Sequence, residues 1–466
     1  MKDDELLWRP SEGWAIGLDF GTAFSKAAAT FNGGGGATRL RKMFPLHIGT
    51  IAGATHPLMA PSEMFLDRGH IHLGPRAFER FMAVGDDSRE MLQSFKMVLG
   101  AYDFEDVLDW RLPKAIDPDR GFTRGDLMVV YLAYLLELIE RAAPEEIGSL
   151  FDASSSVRLR YSRPGWIPSR AEAAYAAMER LFQFAARVRL ELGDELLAPE
   201  GLSFIRAREA LGKAIASQDH FPGFDGAIYE ASAVAACHFI DPTVPDHIFV
   251  ADIGAGTTDF AGFIRRGSAD KLDVVVETQR TITVAGDMFD RALMNLFLKK
   301  TRRKDENVLW RALLPHIRAL KEELVTTGKT KFRFGRRVLK CKRAEFEEDM
   351  DYRTAANAIA EVQYNCISQM AQAVKSERGK RIGIVFAGGG SHLRSTAAML
   401  KRMRKVARGV KLQVLPTAPK WASDLSSQSE FNAMFSQMCV AFGASMSMPN
   451  QVRDRAAKSR AAAVEW

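Results

Sequence analysis

The sequence predicts an α/β protein made of two similar halves, two lobes around a cleft, and three observations carry that reading. Glycine-punctuated turns recur in order along the 466 residues: Ile16-Gly17-Leu18-Asp19-Phe20-Gly21-Thr22, Val250-Ala251-Asp252-Ile253-Gly254-Ala255-Gly256-Thr257-Thr258-Asp259, and Val385-Phe386-Ala387-Gly388-Gly389-Gly390-Ser391. Strand-like and helix-like patterns alternate in both halves, as they do when helices cover a sheet. The chain is also too long for one simple core and should divide into at least two lobes. The first two turns share a grammar: an apolar strand delivers one Asp, Gly frees backbone N–H groups to approach an anion, and Thr adds a hydroxyl. Two such turns facing each other would grip a triphosphate from both sides.

Taken in order, residues 1–12 are polar and read as a loose arm. Residues 14–29 read as strand, tight turn and strand, with glycines 33–36 supplying a second turn. Leu127, Val130, Tyr131, Tyr134, Leu135, Leu138 and Ile139 recur at helical spacing, so residues 123–142 should be an amphipathic helix. A strand over 157–161 leads through the turn 164–168 to Ser169, a candidate cap for an alanine-rich helix ending near 186. In the second half, 247–265 repeats the strand–turn–strand pattern, 272–278 adds a strand, and 286–301 and 308–326 read as helices. One strand is expected over 331–339, one long helix over 343–376, a strand over 382–386 and a helix over 395–408. The tail 449–466 is polar and alanine-rich.

Composition narrows the functional classes. Hydrophobic content of 47% is ordinary for a globular protein. No apolar run reaches the roughly 18 residues of a membrane span, and the start Met1-Lys2-Asp3-Asp4-Glu5 lacks the pattern of a signal peptide, so a cytoplasmic location is expected. Cys237, Cys341, Cys366 and Cys439 are far apart without CxxC spacing, which argues for buried thiols over a disulfide framework or zinc site. The net charge of +7 raises nucleic acid as a partner. The basic runs at 39–42, 299–304 and 401–405 are dispersed and lack interleaved aromatics, so nucleic acid is not expected.

Beyond the glycine turns, the chain resembles the actin, sugar-kinase and heat-shock ATPase superfamily, and within it the nucleotide-binding domain of DnaK-type chaperones. The resemblance rests on the first phosphate turn at 17–25, the helix Tyr229-Glu230-Ala231-Ser232-Ala233-Val234-Ala235-Ala236, the second phosphate turn at 252–259, Thr283-Val284-Ala285-Gly286-Asp287-Met288-Phe289-Asp290, the adenosine turn at 387–391 and a closing helix around 438–445. It covers nearly all of 15–446. It implies a duplicated actin-like ATPase fold: lobe I over 13–237 with an insertion near 188–226, lobe II over 238–430 with a helical subdomain at about 286–376, and a closing helix over 431–448 that returns to lobe I.

The same resemblance implies ATP or ADP with magnesium as cofactors. Asp19 and Asp252 would hold the water shell of the metal, which magnesium sheds reluctantly. Glu230 would stand beside the hydrolytic water, and Asp19, Glu230, Asp252 and Thr257 form the implied catalytic set. Phosphate contacts fall to Gly21, Thr22, Gly254, Gly256 and Thr257. Gly286, Lys321, Gly388, Gly389, Gly390 and Ser391 are the implied nucleoside contacts.

Departures from the family pattern are specific. Ala255 replaces a glycine of the second turn, Glu322, Val325, His392 and Gln437 stand at altered positions, and the stretch Leu73-Gly74-Pro75-Arg76-Ala77-Phe78-Glu79-Arg80 lacks the family's catalytic Lys. Arg76, Arg80 and Lys96 remain as substitutes. The expected function is slow, magnesium-dependent ATP hydrolysis that drives lobe closure and controls a protein partner, without the peptide-binding domain that follows in the chaperones. An actin-like filament protein, a nucleotide-binding scaffold without turnover and a small-molecule kinase are the alternatives, and the oligomeric state stays open.

Overall fold

The apolar runs flanking the first glycine turn form the antiparallel strands Trp14–Asp19 and Phe24–Asn32, in a register that sets Asp19 opposite Lys26. This is a computed structural model. It describes residues 14–32, 41–148 except 87 and 101–102, 158–241 except 167–170, 218–220 and 222–223, 243–265, 272–375, 381–393, 402–423 except 404, 406 and 408, and 429–446. The arm 1–12, the glycine turn 33–36, the cap Ser169, most of the helix expected over 395–408 and the tail 449–466 lie outside the described residues. The chain is α/β with mixed sheets and divides into two units, Met1–Thr243 with Arg265–Asp273 and Ala418–Trp466, and Val244–Ile264 with Val274–Thr417.

In the first unit the hairpin continues on one side into Arg41–Leu46, antiparallel, and on the other into Arg158–Arg163 and Phe224–Tyr229, both parallel. The helix Ser429–Ser445 packs on this sheet and against the helix Glu230–Phe239. It comes so close that a Cβ on Gly17 would lie 2.0 Å from the Ala441 carbonyl oxygen, so only glycine fits that strand position. The helix Arg124–Ile147 begins as its sequence demands, with Thr123 and Asp126 satisfying each other's backbone N–H groups in a capping box. A smaller antiparallel sheet joins Leu92–Gln93, Glu63–Asp67, His70–Leu73 and Leu202–Ser203.

The last of these strands lies in the segment expected as an insertion. Phe204 N donates to Gly69 O at 2.7 Å, and Val188, Leu192, Leu196, Leu202, Phe204 and Leu211 join the main core of the unit. The segment is therefore stitched into the unit by backbone hydrogen bonds and apolar burial. It contains the helix Phe204–Ala216.

The second unit repeats the strand–turn–strand device. His247–Ile253 and Thr258–Arg265 are antiparallel, with Asp252 opposite Asp259. Leu272–Ile282 extends the outer side, and Arg381–Ala387 and Lys411–Val414 add parallel strands on the inner side. The helices Gly286–Lys299, Ile317–Thr327 and Met350–Val374 bury Phe289, Leu293, Phe297, Leu320, Leu324, Ile359 and Ile367 with the sheet residues Phe249 and Phe260.

Three elements differ from expectation. Residues 331–339 are not one strand but parts of a hairpin, Lys329–Phe334 and Arg337–Lys342, because Gly335 at φ +58° takes the left-handed turn. The helix expected over 308–326 is two, Glu306–Leu313 and Ile317–Thr327. The one expected over 343–376 is also two, Arg343–Glu348 and Met350–Val374, divided where the Asp349 side chain accepts from Asp351 N and caps the second helix. All four cysteines are free and buried.

Candidate functional site

Five polar side chains of the first unit form one connected chain around the end of the strand Trp14–Asp19. Lys26 Nζ donates to Asp19 Oδ2 at 2.8 Å, across the hairpin from it. Ser162, at the end of the neighbouring parallel strand, lies 3.2 Å from Asp19 Oδ1 and 3.4 Å from Glu230 Oε1. Its hydroxyl has one proton, so it donates to one carboxylate at a time. Glu230 opens the helix Glu230–Phe239, and its Oε1 also accepts from Lys96 Nζ.

Asp19, Lys96, Ser162 and Glu230 are each less than a tenth exposed. Two carboxylates and two ammonium groups therefore balance in a site that excludes most water, where electrostatic interactions are stronger than at the surface. Lys96 stands 5.7 Å from the centre of the Phe20 ring, within the aromatic cluster of Phe20, Phe95 and Tyr131. That wall fixes the ammonium on its helical turn Phe95–Gly100.

Of Arg76, Arg80 and Lys96, the structure brings only Lys96 to this site. Arg80 donates twice to Asp67, and Arg76 donates to the Leu197 carbonyl. Thr22 is buried, and Gly21 leaves open a position where a Cβ would lie 2.0 Å from Phe24 O and 3.3 Å from Lys26 Nζ. Sequence reasoning missed Lys26 and Ser162. The hairpin length pointed to Lys26, because pairing Asp19 with its partner strand sets Lys26 directly opposite; for Ser162 no local signal existed.

The second unit gathers four separate pieces of sequence. Gly254 N closes the second turn onto Thr257 O at 3.0 Å, and the Gly286 segment docks on it through Gly286 N to Gly254 O at 3.0 Å and Asp287 N to Ala255 O at 2.7 Å. Lys321 Nζ in turn donates to Gly286 O at 3.0 Å and pairs with Asp290 Oδ1 at 2.7 Å. Gly388 has φ +74°, and a Cβ there would lie 2.3 Å from Ile253 O and 2.6 Å from Asp252 Oδ1. Backbone strain and contact both exclude a side chain at that position.

Ser391 turns its hydroxyl back to Gly388 O at 2.7 Å, while Gly389 is exposed and Gly390 buried. Thr257 Oγ1 donates to Asp259 Oδ2 at 3.1 Å, and Asp259 Oδ1 accepts from Thr281 at 2.6 Å. Asp252 and Gly256 are buried beside them. Asp19, Gly21, Thr22 and Glu230 thus belong to the first unit, and Asp252, Gly254, Gly256, Thr257, Gly286, Lys321, Gly388, Gly389, Gly390 and Ser391 to the second.

No cluster of three or more His, Cys, Asp or Glu side chains able to hold a metal ion occurs among the described residues. Asp19 Oδ2 accepts from Lys26 and Oδ1 lies within reach of the Ser162 hydroxyl, so both oxygens retain acceptor capacity. Among the described residues no helix is long and apolar enough to cross a membrane. Compared with known proteins, the chain matches no protein-family model and no curated protein.

Proposed function

We propose that the protein binds ATP with magnesium and hydrolyses it slowly, and that its units are the duplicated lobes of an actin-like, DnaK-type ATPase whose nucleotide-driven closure controls a protein partner. One observation carries the reading: the connected, largely buried set Lys26, Asp19, Ser162, Glu230 and Lys96, assembled from four separate stretches of chain. Phosphoryl transfer to water asks for little covalent chemistry, mainly for positioning and neutralisation of charge. Here Lys26 and Lys96 supply positive charge, Asp19 holds the metal's water shell, and Glu230 orients the attacking water. Magnesium, when bound, neutralises the phosphate oxygens.

The duplication is supported by topology. In each unit a hairpin of equal length, Asp19 to Lys26 and Asp252 to Asp259, carries a further strand on its outer side and two parallel strands on its inner side. The second turn, with Asp252, Gly254 and Thr257, and the implied nucleoside contacts Gly286, Lys321 and Gly388 all fall within the second unit. Lys96 takes the place of the family's lysine and favours turnover over a silent scaffold.

The test is a thermal-shift panel of ATP, ADP and GTP with and without magnesium, followed by phosphate release. A ligand that binds only the native state raises its stability according to concentration over affinity, by about 2.7 kcal/mol at a hundredfold excess over Kd. The expected result is a magnesium-dependent shift with ATP that Asp19→Asn and Asp252→Asn each abolish, and phosphate release that Glu230→Gln slows without loss of binding. A shift that survives both aspartate substitutions with its magnesium dependence unchanged would overturn the reading.

A further inference from the structure

The hairpin Lys329–Phe334 and Arg337–Lys342 gathers charge that the fold does not require. Eight of the fifteen residues from Lys329 to Arg343 are basic and none is acidic. The register sets Lys329 opposite Lys342 and Lys331 opposite Lys340. Alternate residues share a face, so Lys329, Lys331, Arg333, Lys340 and Lys342 stand together with Val338, all of them exposed. Arg336 and Arg337 are exposed at the tip.

The opposite face is apolar and covered: Leu339 and Cys341 are buried in the core of the unit, with Phe332 and Phe334 packed against it. Lys300 Nζ reaches Lys340 O at 2.5 Å, which brings a second basic run, 299–304, beside the hairpin. Lys299 and Lys300 are neutralised by Asp349 and Glu345. Among the described residues, Lys329, Lys331, Arg333, Arg336, Arg337, Lys340 and Lys342 have no acidic partner.

Like charges directly across a strand pair destabilise it. The free protein carries that cost, and a polyanion relieves it. We propose that this face docks duplex DNA through its phosphates, without reading its bases. Two rows of cations, about 5 Å apart and repeating about every 7 Å, form a two-stranded ribbon, and the B-form major groove of about 12 Å admits such a ribbon. The A-form groove of duplex RNA is narrow by comparison. Single strands require exposed aromatic platforms, whereas Phe332 and Phe334 turn toward the core. A membrane surface favours apolar side chains beside the cations, and this face offers only Val338. No Asn or Gln stands on it to read an adenine edge.

The surface uses none of the residues assigned to nucleotide, so it stands or falls separately from that reading. The test is fluorescence anisotropy of the full chain with a labelled duplex of about 20 base pairs, two helical turns, at about 50 and 200 mM salt. Binding at the lower salt is expected to weaken by on the order of a hundredfold at the higher. The double variant Lys331→Glu/Arg333→Glu should lose at least about tenfold in affinity at the lower salt. Lys114→Glu/Arg180→Glu, the same change in net charge at exposed positions of the other unit, should lose no more than about twofold. The hairpin variant should melt no lower than the parent, because the new carboxylate at position 331 faces Lys340; if it does melt lower, Lys340→Gln/Lys342→Gln replaces it. The proposal is overturned by absence of binding at the lower salt, by equal loss in the hairpin and control variants, or by binding of duplex RNA or phosphatidylserine vesicles in preference to duplex DNA.

Discussion

Lys96 and Glu230 illustrate how much a single pair determines. Both are buried, and removing one leaves an uncompensated charge away from water. Lys96→Met is therefore expected to destabilise the first unit by about 3 kcal/mol, whereas Lys96→Met/Glu230→Gln should cost less than the sum of the two single changes. Urea denaturation of the three variants measures this, and strict additivity would show that the pair is not coupled. His72 supplies a pH dependence elsewhere in the unit. Burial, followed by the positive charge of Arg80, holds its ring below the usual value of 6.5. The unfolded chain thus takes up the proton first, so the His72 contribution is complete above pH 6.5 and is lost as pH falls below it. Melting temperature should drop more between pH 7 and 5.5 for the parent than for His72→Gln, with a limiting slope of about 1.4 kcal/mol per pH unit. Burial also pushes the Cys341 and Cys366 thiols up to about 11, which keeps them unreactive near neutral pH.

At the scale of elements, a capping side chain marks a helix start at both Thr123 and Asp349, but only the first stands at the edge of a periodic run. Thr123 and Asp126 mark the start of Arg124–Ile147 by a local hydrogen-bond exchange that the sequence announces. Thr123→Ala should cost about 1 kcal/mol, read as a lower urea midpoint with unchanged slope. The break at Asp349 and the turn at Gly335 are equally local, yet both lie inside runs whose periodicity stays acceptable to one longer element. Reading 331–339 as one strand put Lys331, Arg333 and Arg337 in one row, with Arg336 on the other face. The hairpin doubles them onto one face, and the basic character of that surface follows from pairing rather than from composition.

At the scale of the molecule, the first unit is discontinuous in sequence, and its last helix completes it. Ser429–Ser445 buries Phe431, Phe435, Met438 and Phe442, and fully buried side chains of this size contribute roughly 1.5–3 kcal/mol each. Thr30 and Ser445 also share a buried hydrogen bond at 2.5 Å. A chain cut after residue 428 is expected to lose the cooperative melting transition of the first unit. The second unit takes no residue from 429–446 and should retain its secondary structure. Circular dichroism melts would show one transition surviving; survival of both would mean that the helix is dispensable.

The sequence by itself determined the α/β class, the two glycine hairpins, the long amphipathic helix and the positions of Asp19, Glu230, Asp252 and Gly388, because turn chemistry and hydrophobic period are local properties of neighbouring residues. Tertiary structure alone decided that Lys96, rather than Arg76 or Arg80, reaches Glu230, that Ser162 lies between the two carboxylates, and that the segment near 188–226 joins the main core. Those contacts join residues tens to more than a hundred positions apart, and spacing along the chain carries no record of which distant cation a buried carboxylate will meet.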